Sequence, residues 1–200
     1  MTMKLHDLEL SGNCYKVRLF AALARLPLDL VPVDFMGGEH RRPPLLELNP
    51  WGEIPVLVDG AVVVRDSQAI LTYLAARYAP EGWLPQDPAE AAEVVHWLSR
   101  AANEVQHGPA AARLVDKFGY RLDKAVALQR AARLLERLDG HLVTRAWLAC
   151  GRPTVADCAV FPYVALAPEG GVPLEPYPQV CAWIERVKGL PRFVAMPGIR

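Results

Sequence analysis

The spacing of apolar positions changes character partway along this chain. Up to about residue 80, short apolar runs alternate with helical spacings; beyond that point strand-like alternation disappears. Residues 4–8 read as a short strand, and 14–25 as a helix with Val17, Phe20, Ala21 and Ala24 on one face. Residues 28–35 form a second strand candidate, and Pro32, which cannot donate to a ladder, assigns it to a sheet edge. After the loose stretch GGEHRRPP come two apolar runs, Pro55 to Val58 and Ala61 to Val64, joined by Asp59-Gly60 as a two-residue hairpin signal. Asp66 and Ser67 then stand ready to cap a helix carrying Ile70, Tyr73, Leu74 and Tyr78 on one face.

The Pro- and Gly-rich segment APEGWLPQDP marks a boundary. It divides the chain into a first domain at 1–79, a linker at 80–87 and an all-helical domain at 88–200. In the second part Ala91, Val94, Leu98, Ala101 and Val105 recur at steps of three and four, as do Leu122, Ala125, Leu128, Ala132, Leu135, Leu138 and Leu142. These predict two long helices packed as an antiparallel pair. Thr154 to Asp157 has the capping-box pattern, with Asp in place of the usual Glu, and residues 177–187 supply a last helix before a proline-punctuated tail.

Composition narrows the classes of function. At 200 residues, 52% apolar and 22% charged, the chain buries a real core and is not a disordered segment. Lys plus Arg and Asp plus Glu both number 22, so no global field attracts nucleic acid or an anionic membrane, and the expected partner is a small molecule or another protein. MTMKLHDLEL lacks a signal-peptide core, and AVFPYVALA is short and broken by Pro162, which predicts a cytoplasmic protein without a membrane span. The four cysteines form no Cys-x-x-Cys pair and have no zinc-finger histidines, so neither a metal site nor a structural disulfide is expected.

Three short stretches could carry chemistry. In LSGNCYKVRL, Ser11 and Cys14 stand three apart where an irregular stretch becomes a helix. Asn13 between them either caps that helix or supports a hydrogen-bond network. In NPWGEIPVLVDG, Ile54-Pro55 lies directly before a strand, which suits either a cis bond that frees the backbone of Ile54 for an extended ligand or an ordinary trans proline. Asp66-Ser67 opens a helix whose unpaired N–H groups and positive dipole end suit a carboxylate, although such a pair also serves simply as a cap.

Taken in order, SGNCYKVRL, GEHRRPPLLELNPWGEIPVL, RDSQAILTYLAARYAP, GRPTVADCAVFPYVA and YPQVCAWIERVKGLP resemble a cytosolic glutathione transferase over nearly the whole chain, of the bacterial, serine-type, phi- or theta-like kind. The resemblance implies a thioredoxin-like domain of order β-α-β-α-β-β-α that binds glutathione, an all-helical domain that shapes a pocket for a hydrophobic electrophile or peroxide, and a homodimer acting in detoxification. It implies that Ser11 donates its O–H to the glutathione sulfur. Ile54, held by Pro55, pairs through its backbone with the cysteinyl part; Asp66 and Ser67 receive the γ-glutamyl ammonium and carboxylate; His40 and Arg41 meet the glycyl carboxylate. Glu53 departs from the Gln that such members often carry and needs Arg41 or a water beside it. Cys14 occupies the second position of a thioredoxin-type motif whose first cysteine is Ser11, and is either an inert packed thiol or a redox position. Asn103, His107 and Arg113 fall near the start of the implied electrophile pocket, where each is otherwise a solvated or structural residue. Asp157 resembles a folding element whose loss costs about 0.5–2 kcal/mol. Two other functions remain open on the residues: a non-catalytic binding module of the same fold, and a glutathione-dependent disulfide reductase.

Overall fold

The computed structural model describes residues 3–79 and 82–199; residues 80 and 81 of the expected linker lie outside the described residues. Strand β1 (Met3–Asp7) alternates buried Met3, Leu5 and Asp7 with more exposed Lys4 and His6, as the pleat requires. It is followed by α1 (Gly12–Leu23), β2 (Leu28–Pro32), a single 3₁₀ turn (Glu39–Arg41), the short α2 (Leu45–Leu48), the hairpin β3 (Val56–Asp59) and β4 (Val62–Arg65), and α3 (Ser67–Tyr78). The sheet order is β2-β1-β3-β4, with β1 and β2 parallel and the other pairs antiparallel, so the strand carrying Pro32 is at an edge as expected.

Several boundaries differ from the sequence expectation for physical reasons. Helix α1 begins at Gly12, two residues before the expected start, because Ser11 caps it; it ends at Leu23, and Arg25 beyond it has φ 59°. The hairpin loop is Gly60-Ala61, since Asp59 pairs with Val62 inside the ladder. Gly60 supplies the positive φ of 59°, while the Asp59 carboxylate accepts hydrogen bonds from the hydroxyls of Tyr73, at 2.7 Å, and Tyr78. Tyr78 is therefore exposed rather than in the buried stripe, which Ile70, Leu71, Leu74 and Ala75 form.

In the second half α4 (Pro88–Arg100) runs on through a π-helical segment (Ala101–Ala110) into α5 (Ala111–Phe118). Helical spacing anticipated the run from Ala91 to Val105 but neither its continuation to Phe118 nor the wider turns, which lead up to Pro109, a residue without an N–H to donate. Gly108 lies so close to α6 (Lys124–Leu142) that an added Cβ would stand 3.0 Å from the Ala131 nitrogen. Helix α6 turns Ala127, Ala131, Leu134, Leu135, Leu138 and Leu142 inward and leaves Ala125 and Ala132 of the expected stripe exposed. Helix α7 (Val155–Ala165) is buried from Val155 through Val164, and α8 (Pro178–Lys188) completes the half. One apolar cluster runs from Leu5, Tyr15 and Phe20 through α7 to Trp183, so the two halves share a core. A second, small cluster of Val33, Leu45 and Val56 lies under α2. Among the described residues no helix is long and apolar enough to cross a membrane.

Asp157 does more than close the capping box. Its fully buried carboxylate accepts from Thr154 N at 3.0 Å, Leu148 N at 3.2 Å and the Trp183 indole N–H at 2.9 Å, tying α7 to α8 and to the preceding loop. Burial pushes its pKa up to about 6 against the pull of these donors. Asp157→Ala, which strands several buried donors, is expected to cost at least about 3 kcal/mol in urea unfolding, more than a cap alone. Because the folded-state value exceeds the ordinary 3.8, wild type should lose stability relative to Asp157→Asn as pH rises from 4 through 6. A flat difference across that range would show that the carboxylate titrates normally.

Candidate functional site

Strand register determines which segments meet. Asp7, the last residue of β1, is opposite Pro32 at the end of β2; His6 is opposite Val56 at the start of β3; and Val56 is opposite Arg65 at the end of β4. The segments beyond these residues carry Ser11, His40, Ile54-Pro55 and Asp66-Ser67, so all four emerge at one end of the sheet. Helices α1 and α3 both begin there, presenting unpaired N–H groups and the positive ends of their dipoles.

Ser11 sits in extended backbone (φ −79°, ψ 119°), and its hydroxyl oxygen accepts from Cys14 N at 3.3 Å. The cap role considered for Asn13 thus belongs to Ser11. With the oxygen engaged as acceptor, the O–H proton is left to donate. Asn13 Oδ1 is buried without a partner among the described residues. Next to it, Gly12 packs so tightly under Tyr163 of α7 that a Cβ would come within 2.6 Å of the ring. Cys14 is fully buried, and desolvation pushes its thiol up to about 12, which makes it a packing residue at neutral pH.

Two buried cations underlie this loop: Lys16, which the sequence did not single out, and Arg113, expected near the electrophile pocket. Lys16 is fully buried, its Nζ lies 5.5 Å from the Tyr163 ring centroid, and it has no hydrogen-bond partner among the described residues. Burial pulls its pKa down to about 8, opposed by the charge of Asp66. Arg113 is 1% exposed; its Nε donates to Glu169 at 2.5 Å and its Nη1 donates to the carbonyl of Leu10 at 3.1 Å, one residue before Ser11. Lys117 shares Glu169. Arg113 is therefore committed to holding the Ser11 loop, whereas Asn103 and His107, on the π-helical segment, are exposed. A cavity of about 540 Å³ beside the loop is lined by Asp7, Leu8, Glu9 and the tail residues Ala195 to Pro197, and by none of those three.

The other strand-end groups have distinct commitments. The Ile54–Pro55 bond is cis, and among the described residues the N–H and C=O of Ile54 make no backbone pairing. Glu53 is exposed, and its carbonyl accepts from Asn49 Nδ2 at 2.8 Å. Asp66 adopts φ 71°, an uncommon conformation for a residue with a side chain; its Oδ1 caps α3 through Gln68 N (2.8 Å) and Ala69 N (3.1 Å), which leaves Oδ2 available. The buried Ser67 hydroxyl donates to Gln68 Oε1, bringing to the site a residue that the sequence had not singled out. His40 is 5% exposed, stacks on Phe35 at 3.9 Å, and keeps Nδ1 buried without a partner; burial and then Arg41 lower its pKa, so it is neutral at pH 7. Arg41 itself is exposed.

A family model for the glutathione S-transferase N-terminal domain matches residues 5–82, and one for the C-terminal domain matches residues 111–191. Glutathione S-transferase 3 of Zea mays is 35% identical over 96% of this chain and 91% of its own length. The chain belongs to the glutathione S-transferase family. A solved glutathione S-transferase of Pseudomonas fluorescens is similar with a TM-score of 0.91 at 30% identity, covering 98% of this chain and 99% of that one. A possible glutathione S-transferase of Rhodopseudomonas palustris gives 0.89 at 31% identity, covering 98% of both. The family makes this chain a transferase that uses glutathione as co-substrate, with a thioredoxin-like first half and a helical second half; a non-catalytic module and a disulfide reductase are not favoured. Burial of the four thiols gives a direct check on Cys14: a thiol reagent applied to the native transferase should label Cys150 and Cys181, which are partly exposed, and spare Cys14 and Cys158 until the chain is unfolded. Rapid native labelling of Cys14 would contradict its assignment as packing.

Proposed function

We infer that this transferase is of serine type: the Ser11 hydroxyl donates to the glutathione sulfur and stabilises its thiolate, which attacks a hydrophobic electrophile or a peroxide. The observation that carries the reading is the commitment of Ser11. Its oxygen is held by Cys14 N at 3.3 Å in the first turn of α1, which fixes the hydroxyl at the helix N-terminus. Ser11 is no nucleophile here. A free thiol titrates near ~8.5, and a hydroxyl donor, the α1 dipole and the buried cation of Lys16 all favour the anion. Cys14 is a poor competitor because its own thiol is held up at about 12.

In the same reading Ile54 pairs its free backbone groups with the cysteinyl amide. The open Oδ2 of Asp66 takes the γ-glutamyl ammonium, while the Ser67 N–H and the α3 N-terminus take the carboxylate. Neutral His40 offers a hydrogen bond and Arg41 a charge to the glycyl carboxylate, with Glu53 acting through Arg41 or a water. Asn13 supports the network around Ser11 through its unpartnered oxygen. By the family resemblance Asn103 and His107, both exposed, are the candidates of the helical half for contact with the second substrate. Residues 1–79 bind glutathione and 88–200 shape the electrophile site, with 80–87 as linker. The protein acts in the cytoplasm, in detoxification, as a homodimer, for which Trp51, 84% exposed beside the glutathione segment, is a fitting contact.

The test is conjugation of 1-chloro-2,4-dinitrobenzene together with reduction of a hydroperoxide. Removing one positioned donor from a developing anion commonly costs about 10²–10³ in rate, so Ser11→Ala should lose about a hundredfold in kcat. An unchanged rate would remove Ser11 from the mechanism.

A further inference from the structure

Ser11 N donates to the Leu8 carbonyl at 2.9 Å, so residues 8–11 close a tight turn, and the Ser11 hydroxyl stands on the same turn as Leu8 and Glu9. Leu8 and Glu9 also line the cavity of about 540 Å³, which is well within the size range of small-ligand pockets. Reacting atoms meet at about 3–3.5 Å, so an electrophile attacked by a thiolate at Ser11 has to lie against this turn. The cavity offers room for it there. Its apolar walls are Leu8, Leu30, Pro32 and Val33 from the sheet end and Met196 from the tail. The tail is tied down: the Tyr15 hydroxyl donates to the Val194 carbonyl at 2.7 Å, and Met196 and Ile199, both buried, exchange backbone hydrogen bonds at 3.2 and 2.9 Å.

Charge is spread unevenly over this lining. Its ionisable members are Asp7, Glu9 and Arg18. Arg18 Nη1 donates to both Asp7 carboxylate oxygens and to the Leu8 carbonyl at 3.3 Å, and Nη2 donates to the Glu9 carbonyl at 2.7 Å. The guanidinium charge is thus paired with Asp7, and its donors are spent on holding the turn. Glu9 is exposed, and among the described residues its carboxylate makes no hydrogen bond or ion pair. It stands near Asp7, whose pKa is raised by burial, held back by Arg18 and raised further by the charge of Glu9. The lining therefore presents, among the described residues, an unpaired negative charge and no unpaired positive one.

We propose that Glu9 is a specificity-determining residue of this transferase: its carboxylate makes the cavity between the Ser11 turn and the tail select apolar electrophiles that are neutral or cationic, and disfavour those that carry a carboxylate. The proposal rests on the serine-type reading, which places the attacking sulfur at Ser11. The apolar walls hold the body of the electrophile, while Glu9 at the rim attracts a positive group and repels a negative one. Arg18 gives an anion no compensating partner, because Asp7 already occupies it.

Titration calorimetry of the whole protein at low ionic strength tests this, with glutathione and with S-benzylglutathiones whose para position bears hydrogen, a carboxylate or a trimethylammonium group. The unsubstituted conjugate should bind more tightly than glutathione. In wild type the carboxylate should bind about fivefold more weakly than the unsubstituted conjugate, the scale of one partly exposed charge pair, and the trimethylammonium conjugate at least as tightly. Glu9→Gln should bring the conjugates together and Glu9→Lys should reverse their order, with glutathione affinity unchanged in both. Ala195→Trp, which fills the cavity from an exposed lining position, should weaken all the conjugates and leave glutathione unaffected. Equal affinities in wild type, or an unchanged order in Glu9→Lys, overturn the proposal while bound glutathione upholds the transferase reading. Conjugates indifferent to Ala195→Trp would place the ring elsewhere and overturn it too. No binding of glutathione itself would overturn that reading and the proposal with it.

Discussion

The contact between Gly12 and Tyr163 is the constraint on which the remainder depends. Tyr163 occupies the volume where a side chain at position 12 would be, so the first turn of α1 lies directly on α7. Helix α7 can serve as that platform because it is buried along nearly its whole length and is anchored at its start by Asp157. The turn carrying the site hydroxyl is thereby held against the central helix of the other half. The two halves then share one core, and the loop that presents Ser11 is positioned by packing from both sides.

Polar commitments refine that position. Gly170 approaches the backbone of α5 so closely that a Cβ would fall 2.5 Å from Arg113 N, and this brings the neighbouring Glu169 to Arg113 and Lys117. Arg113, neutralised by that carboxylate, can be buried at acceptable cost and reach the Leu10 carbonyl. Ser11, one residue later, turns its oxygen inward to Cys14 N. The outcome is a donor O–H at a helix N-terminus, whose position is set by residues that never touch the ligand.

The sequence was informative where local chemistry and global fold agree. The edge strand with Pro32, the hairpin, the cap at Asp66 and the Thr154–Asp157 box all follow from backbone requirements that particular residue types meet, and the structure has each of them. It was less informative where tertiary contact overrides spacing. The hairpin loop lies one residue later than the Asp59-Gly60 signal, with Asp59 paired to Val62 in the ladder, and the helix after Arg100 widened into π turns leading to Pro109. Arg113 stood as a candidate for the electrophile pocket and Lys16 was not singled out, since nothing in a linear pattern shows that an aromatic ring or a carboxylate from a distant segment will cover them. Cys14 was undecided between packing and redox chemistry until its burial was known.

The central claim is that Ser11 lowers the pKa of a thiol the chain does not itself contain. The direct measurement is the pH titration of the thiolate absorbance near ~240 nm of glutathione bound to wild type, Ser11→Ala and Cys14→Ala. In wild type and Cys14→Ala the bound thiol should titrate at least about one unit below the ordinary ~8.5, and Ser11→Ala should return it toward that value. An equally low value in Ser11→Ala, or a shift lost only in Cys14→Ala, would contradict the account.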